Sequence, residues 1–207
     1  MILAIIQARM SSQRLPGKVL MDIAGKPMLQ WVIEAAMQAK MIDKVVIATS
    51  DQPEDKAVTD IATNHVNVFP GDLNDVLGRF YQAALCYMPS HIVRLTGDCP
   101  RMKPGIIDTA IRYHLEGDYD YTTNRPNFPS GLDVEVFTMD TLLRAAKLAT
   151  DPYDREHVTP YMKNRNLFKV GTIIGLEYEG HPDDKLSVDT QEELEKARKL
   201  MGEKQHG

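Results

Sequence analysis

Two rhythms of apolar and polar positions divide this chain. In the first half, short apolar runs alternate with longer stretches striped at helical spacing. Ile2 to Ile6 are almost wholly apolar, which suits a strand buried on both faces of a parallel sheet. From Met28 to Lys40, Leu29, Val32, Ile33, Ala36 and Met37 fall on one helical stripe. Lys44 to Thr49 reads as the next strand, and Ser50-Asp51-Gln52-Pro53 as a helix start. A helix over 54–64, a short strand over 66–69, a helix over 75–88, the strand His91 to Thr96 and a helix over 106–115 come next. This order predicts an α/β fold: a mostly parallel sheet with helices on both faces and right-handed crossovers.

From about Asp118 the rhythm changes. Strand-like YDYTTN and LDVEVFT flank a loop holding Pro126, Pro129 and Gly131. A helix over 140–148, a second helix start at Asp151-Pro152, a strand over 168–174, a short strand over 185–188 and a closing helix over 192–201 complete the pattern. This half is expected to finish the sheet and to add a small strand arm over an acceptor site, with a surface suited to a homodimer. Residues 203–207 are expected to fray.

Composition narrows the class. At 207 residues, 43% apolar and 26% charged, the chain is sized for one domain with a substantial core. The net charge of −5 argues against general nucleic-acid binding, because no basic stripe extends beyond the opening loop. The longest uncharged stretch, Phe80 to Val93, is too short to span a membrane, and the opening carries no signal-peptide pattern, so a cytoplasmic protein is expected. Cys86 and Cys99 make no disulfide framework; Cys86 reads as a core residue of a helix.

Charge then singles out the segment after the first strand. Between Gln7 and Lys26 the chain carries four cations, Arg9, Arg14, Lys18 and Lys26, against one acid, Asp22, in a molecule that is acidic as a whole. Ala8, Ser11, Ser12, Gly17 and Gly25 are small enough to let backbone N–H groups approach a ligand. A strand feeding a basic turn before a helix is how α/β proteins hold polyphosphates, beyond the carboxyl ends of the strands. Asp98 ends the 91–96 strand beside Gly97 and before Pro100, placed to hold Mg²⁺ over bound phosphates on the same rim. Asp189 closes Leu186-Ser187-Val188 before the last helix, where capping and metal binding are both open to it. The fingerprints G-x-G-x-x-G and the Walker loop are absent, which disfavours dehydrogenases and P-loop enzymes.

Five ordered segments now carry a family resemblance: IIQARMSSQRLPGKVLMDIAGKPMLQWV at 5–32, GDCP at 97–100, GLDVEVF at 131–137, REHVTPY at 155–161 and SVDT at 187–190. Together they resemble the cytidylyltransferases that activate sialic acids and 3-deoxy-manno-octulosonate as CMP-sugars, and most of all the spore-coat polysaccharide biosynthesis protein F family. The resemblance implies a nucleotide-diphospho-sugar-transferase type α/β fold over 1–207, with a nucleotide-binding half at 1–117 and an acceptor-binding half at 118–190. It implies that Arg9, Arg14 and Lys18 hold the triphosphate of CTP and that backbone around Gln7 and Ala8 lines the base. Asp98 and Asp189 would carry Mg²⁺ while CMP moves to a sugar acid and pyrophosphate leaves, with no side chain needed as general base. Gln7 departs from the Pro that those enzymes generally carry; cytosine stays the favoured base.

Acceptor residues are sought in the second half. Asn124, Arg125, Asp133 and Glu135 lie on or near one strand, and Arg155 and His157 in the next helix start. Asp133 and Glu135 share a face if the strand runs through both, either toward sugar hydroxyls or toward solvent opposite Leu132, Val134 and Val136. Arg155 and His157 suit an acceptor carboxylate or phosphate, or an intrahelical salt-bridging face. His65, His91, His114 and His181 show no ligand spacing and read as structural. Two competing readings remain. A glycosyltransferase would use Asp118-Tyr119-Asp120 for its metal, and a non-catalytic nucleotide sensor would need the basic loop but not two acids on its rim.

Overall fold

The computed structural model describes residues 1–62, 66–174 and 181–202. In chain order the strands are β1 (Ile2–Gln7), β2 (Asp22–Ile23), β3 (Lys26–Pro27), β4 (Lys44–Ser50), β5 (Asn67–Gly71), β6 (His91–Thr96), β7 (Tyr121–Thr123), β8 (Glu135–Thr138) and β9 (Val170–Thr172). The helices are α1 (Met28–Gln38), α2 (Lys56–Ala62), α3 (Val76–Leu85), α4 (Pro104–Glu116), α5 (Met139–Leu148), α6 (Pro152–His157) and α7 (Gln191–Gly202). Seven strands form one sheet in the order β5-β4-β1-β6-β8-β7-β9. Only β8 runs against its neighbours, pairing antiparallel with both β6 and β7. The expected α/β architecture is therefore present, with β1 at its centre between β4 and β6.

Alternation along the strands feeds two cores. Ala4 and Ile6 of β1, Val93 and Leu95 of β6 and Val136 of β8 meet α1 and α4 on one face. Leu3 and Ile5, Ile92, Tyr121 and Phe137 meet α3 and α5 on the other. By the same period-two rule Gln7, Arg94, Thr96 and Glu135 belong to the second face. A third, smaller cluster joins Leu15, Ile23 and Met28 of the opening segment to Val188, Leu194 and Ala197 near the far end of the chain.

Some expectations need correction. The segment 185–188 is not a strand: it makes one isolated bridge, Ser130 to Lys185, because Leu186 and Ser187 both donate to the single Ser130 carbonyl, at 2.6 and 3.1 Å. The accessory two-stranded sheet is β2–β3, inside the opening segment rather than in the second half. Ala24 and Gly25 turn this hairpin with positive φ, a chemistry that an Ala-Gly pair signals weakly. The helix expected over 54–64 splits into a 3₁₀ turn, Pro53–Asp55, and α2, and its stretch beyond Ala62 lies outside the described residues. Cys86 is exposed at the end of α3, not in the core. His65 and the tail 203–207 also fall outside the described residues.

His91 and His114 are structural, as expected. Their rings lie edge to face at 5.3 Å, and His114 Nδ1 is 2.9 Å from the Thr122 hydroxyl. Burial first, and the nearby His91 second, push the His114 pKa down to about 4, against an upward pull from Asp120. The unfolded chain therefore binds a proton more readily than the folded one between about pH 6.5 and 4. Stability from this residue is present above that window and is lost as pH falls through it, up to about 3 kcal/mol. Denaturant melts of wild type and His114→Gln should converge as pH drops from 7 to 4; a constant gap would show that His114 does not titrate with folding.

Candidate active site

The opening loop is built around Met10. Its carbonyl accepts from the N–H groups of Ser12 at 2.9 Å and Gly17 at 2.8 Å, folding residues 10–17 into a compact turn. Its own N–H donates to Asp55 Oδ1 at 2.6 Å, and Asp55 Oδ2 accepts from the Ser50 N–H at 3.1 Å and from the Ser50 hydroxyl. Asp55 is 1% exposed, so a buried carboxylate at the start of α2 pins the loop to the end of β4. Beyond the loop, Lys18–Leu20 form one 3₁₀ turn that carries the Lys18 side chain inward.

Gly97 brings the second rim element close. Its N–H donates to the Gln7 carbonyl at 2.8 Å, and a Cβ there would lie 3.1 Å from both the Ala8 Cβ and a Leu29 methyl. The exits of β1 and β6 thus sit close enough that a side chain at position 97 would crowd Ala8 and Leu29. Asp98 is the very next residue. Its carbonyl accepts the Val188 N–H at 2.9 Å, which hangs Asp189 beside it. Gly131, at φ +100°, lets the 186–187 backbone pass: a Cβ would fall 2.2 Å from the Ser187 nitrogen. Capping of α7 is handled by neighbours. Thr190 Oγ1 accepts from the Glu193 N–H at 3.3 Å, and Glu193 Oε2 accepts from Asp189 and Thr190 N–H at 2.7 and 3.1 Å. The Asp189 carboxylate is left for the cleft.

Lys18 joins the three segments. Its ammonium donates to Asp98 Oδ2 at 2.6 Å, to Asp189 Oδ1 at 2.8 Å and to the Val188 carbonyl at 2.8 Å. Lys18 is 8% exposed, and burial alone would lower its pKa; Asp98 and Asp189 outweigh that and raise it, so the cation is permanent. Burial likewise works against the Asp189 carboxylate, but Lys18, Lys185 and Arg14 hold its pKa below the ordinary value. Arg14 reaches Asp189 Oδ1 at 3.0 Å and Lys185 reaches Oδ2 at 3.2 Å. Lys185 was not marked by the sequence, because its only signal is a position four residues before an acid.

These groups border a cleft of about 420 Å³ at the carboxyl ends of β1 and β6. Gln7, Ala8, Arg9, Arg14, Lys18 and Asp98 line it with Asp189, all singled out from the sequence. Ser11 does not; Ser12 and Gln13 take its place, and the Ser11 hydroxyl is buried with no hydrogen-bond partner among the described residues. Arg9 stands 3.7 Å from Glu156, which lines the cleft together with His157.

The remaining residues assigned to an acceptor are placed elsewhere. Asn124 is fully buried, its amide donating to the Leu132 carbonyl at 2.7 Å and accepting from the Val134 N–H at 3.0 Å, so it ties two chain segments together. Arg125 pairs with Asp133 at 3.2 Å and donates to the Phe128 carbonyl, outside the cleft. Arg155 bonds Asp75 and the Ala146 carbonyl, clamping α3 to α5 rather than forming an intrahelical pair. Asp133 and Glu135 do not share a strand, since β8 begins at Glu135; Glu135 is buried, and Asp133 is half-buried against Arg125. Asp118-Tyr119-Asp120 precedes β7, at the sheet edge opposite the cleft, and Asp120 accepts from the Lys169 N–H there. No described helix is long and apolar enough to cross a membrane.

A central parallel sheet with a cationic loop and two converging acids at its carboxyl edge defines a nucleotide-handling α/β protein. The chain belongs to the cytidylyltransferase family, whose model matches residues 3–206. It is 36% identical over 210 residues to the spore coat polysaccharide biosynthesis protein SpsF of Bacillus subtilis, covering 96% of this chain and 85% of that one. It is also 36% identical over 118 residues to a 3-deoxy-manno-octulosonate cytidylyltransferase of Synechococcus elongatus, covering 56% of this chain and 48% of the other. Among solved structures, a cytidylyltransferase from Leptospira borgpetersenii superposes with a TM-score of 0.88 at 34% identity, over 95% of this chain and 84% of that one. The fold and family expected from the sequence are both found.

Proposed function

We propose that this enzyme transfers CMP from CTP to a sugar acid or related sugar, releasing pyrophosphate, in the cytoplasmic synthesis of a surface polysaccharide. The observation that carries the reading is the single ammonium of Lys18 bonded to both Asp98 and Asp189 on the cleft wall. A nucleotidyl transfer needs fixed cations where charge grows on the leaving pyrophosphate, and carboxylates that can position a hard metal ion beside them. Arg9 and Arg14 supply guanidinium forks on the loop and Lys18 a point charge. The backbone around Gln7 and Ala8 and that of the loop would line the nucleotide, in the half comprising 1–117.

The donor set fits Mg²⁺. No cluster of three acidic, His or Cys side chains is poised for a metal among the described residues. Mg²⁺ does not need one, because it is commonly held by one or two carboxylates with phosphate oxygens and water completing the shell. Asp98 and Asp189 are the residues that would hold it, and the ion would add charge neutralisation at the phosphates. Acceptor binding falls to His157 and the neighbouring wall; Asn124, Arg125 and Arg155 carry no part in it, their polar groups being committed to the fold. A homodimer through the second half remains part of this reading.

Pyrophosphate release assayed over a matrix of the four nucleoside triphosphates and a panel of sugar acids and sugar 1-phosphates, with and without Mg²⁺, tests the proposal. Release should require CTP, a sugar acid and Mg²⁺ together. Release of a nucleoside diphosphate would point to glycosyl transfer, and nucleotide binding without turnover across the panel to a sensor; either result would sink the reading.

A further inference from the structure

Glu135 sits at the root of a buried relay that ends on the cleft wall. Its Oε1 accepts from the Thr159 hydroxyl at 2.8 Å and from the Tyr121 hydroxyl, and it lies 3.4 Å from the Lys163 ammonium. Its Oε2 is bonded by Arg94 Nη1. The other arm of the same guanidinium, Nη2, donates to Gln7 Oε1 at 3.1 Å. Guanidinium carries donors only, so the amide of Gln7 has one permitted orientation: its oxygen faces Arg94 and its NH₂ is turned away from it. Gln7 is half-buried on the cleft wall, and among the described residues no hydrogen bond takes up that NH₂.

We infer that Gln7 is a specificity-determining residue: its NH₂, oriented by Arg94 and Glu135, donates to an oxygen of the acceptor, the carboxylate in a sugar acid. This rests on the transfer reading above. Two features select the acceptor over the base. Arg94 draws the side chain across β6 toward β8, the side on which Thr96 and then Asp98 lie, whereas the partner of Gln7 on β4 is Ala48, which has no polar side chain. The relay also sets two cations, Arg94 and Lys163, against Glu135, and the neighbouring acid Asp133 is taken up by Arg125 at 3.2 Å, so the wall behind Gln7 favours an anion. Within it, Arg94 and Glu135 are positioning residues. Among the described residues the buried Nε of Arg94 has no partner, and the guanidinium is held there by its two outer nitrogens.

Gln7→Ala and Gln7→Glu separate the roles. Glutamate keeps an oxygen for Arg94, so the relay and the fold persist, but it offers the cleft an acceptor in place of a donor. Titrations of CTP with Mg²⁺ and of 3-deoxy-manno-octulosonate or N-acetylneuraminate into each protein should show CTP affinity within about twofold of wild type. Sugar-acid affinity and KM should weaken about 10- to 100-fold, the scale of a hydrogen bond to a charged group, with Gln7→Glu at least as impaired as Gln7→Ala. The side-chain amide resonance of Gln7, assigned by its loss in Gln7→Glu, should move with the sugar acid and not with CTP. Wild-type acceptor affinity in Gln7→Glu, equal losses for CTP and acceptor, or an amide resonance indifferent to every sugar acid would overturn the inference. Absence of pyrophosphate from wild type would remove only the transfer reading, because the amide resonance still decides the role of Gln7.

Discussion

Lys18→Met is expected to lower kcat by about 10²–10³, the scale for losing one preorganised charge at a developing anion. Methionine has nearly the length and volume of the lysine stem, so the 3₁₀ turn and the packing of Val19 should persist. The change deletes the cation that holds Asp98 and Asp189 within hydrogen-bond distance of one point. Without it two carboxylates face each other across a partly buried gap, and their repulsion should pull the 186–189 segment off the Asp98 carbonyl. A metal ion can restore part of that neutralisation, so the Mg²⁺ concentration for half-maximal rate should change along with kcat. Steady-state kinetics with Mg²⁺ titration decide the matter. Unchanged turnover would show that the ammonium plays no part in the chemistry.

Replacing Glu135 by Ala should strongly destabilise the fold. The carboxylate is 6% exposed, and the change strands Arg94, Tyr121 and Thr159 without their common acceptor. Breaking one side of a buried charge pair costs about 3–5 kcal/mol, or roughly 10 °C in Tm for a chain of this size. Burial would raise the Glu135 pKa, but Arg94, Lys163 and the two hydroxyls outweigh it and hold it at about 2. The stabilisation is therefore complete above the unfolded value near 4.5 and disappears as pH falls from there toward 2. Glu135→Gln should remove this acid limb while sparing more of the fold than Ala. Equal acid sensitivity of wild type and Glu135→Gln in denaturant melts would show that the pair contributes nothing.

Much of the site was legible because its residues are terminal punctuation of strands. Arg9 and Lys18 come after β1 and Asp98 after β6, and any parallel sheet gathers the residues just past its strands onto one edge. That logic reached across 80 residues to Asp98; Asp189 follows no strand, and the Val188 N–H on the Asp98 carbonyl is what brings it to the same edge. The supporting shell was not legible. Asp55 looks like an ordinary acidic helix start, and nothing local says that it receives the Met10 N–H from 45 residues away. Glu135 and Arg94 meet through the antiparallel register of β6 and β8, a pairing that hydrophobic alternation does not reveal. Alternation read Glu135 as ligand-facing or solvent-facing, and tertiary contact made it a buried anchor. Asn124, bonded to the Leu132 and Val134 backbone, was hard to read for a related reason: polar side chains that satisfy loop backbone have the same composition as those that bind sugars.

The docking of α7 on the opening hairpin has one more consequence. Leu194 and Ala197 pack on Ile23 and Leu15, and Arg198 donates to the Asp22 carbonyl at 2.9 Å, while the turn just before that helix delivers Asp189. Scaffold and side chain thus arrive on one piece of chain: the residues from Leu186 onward supply both the seat of the opening hairpin and the Asp189 carboxylate, so a change that loosens α7 reaches both together.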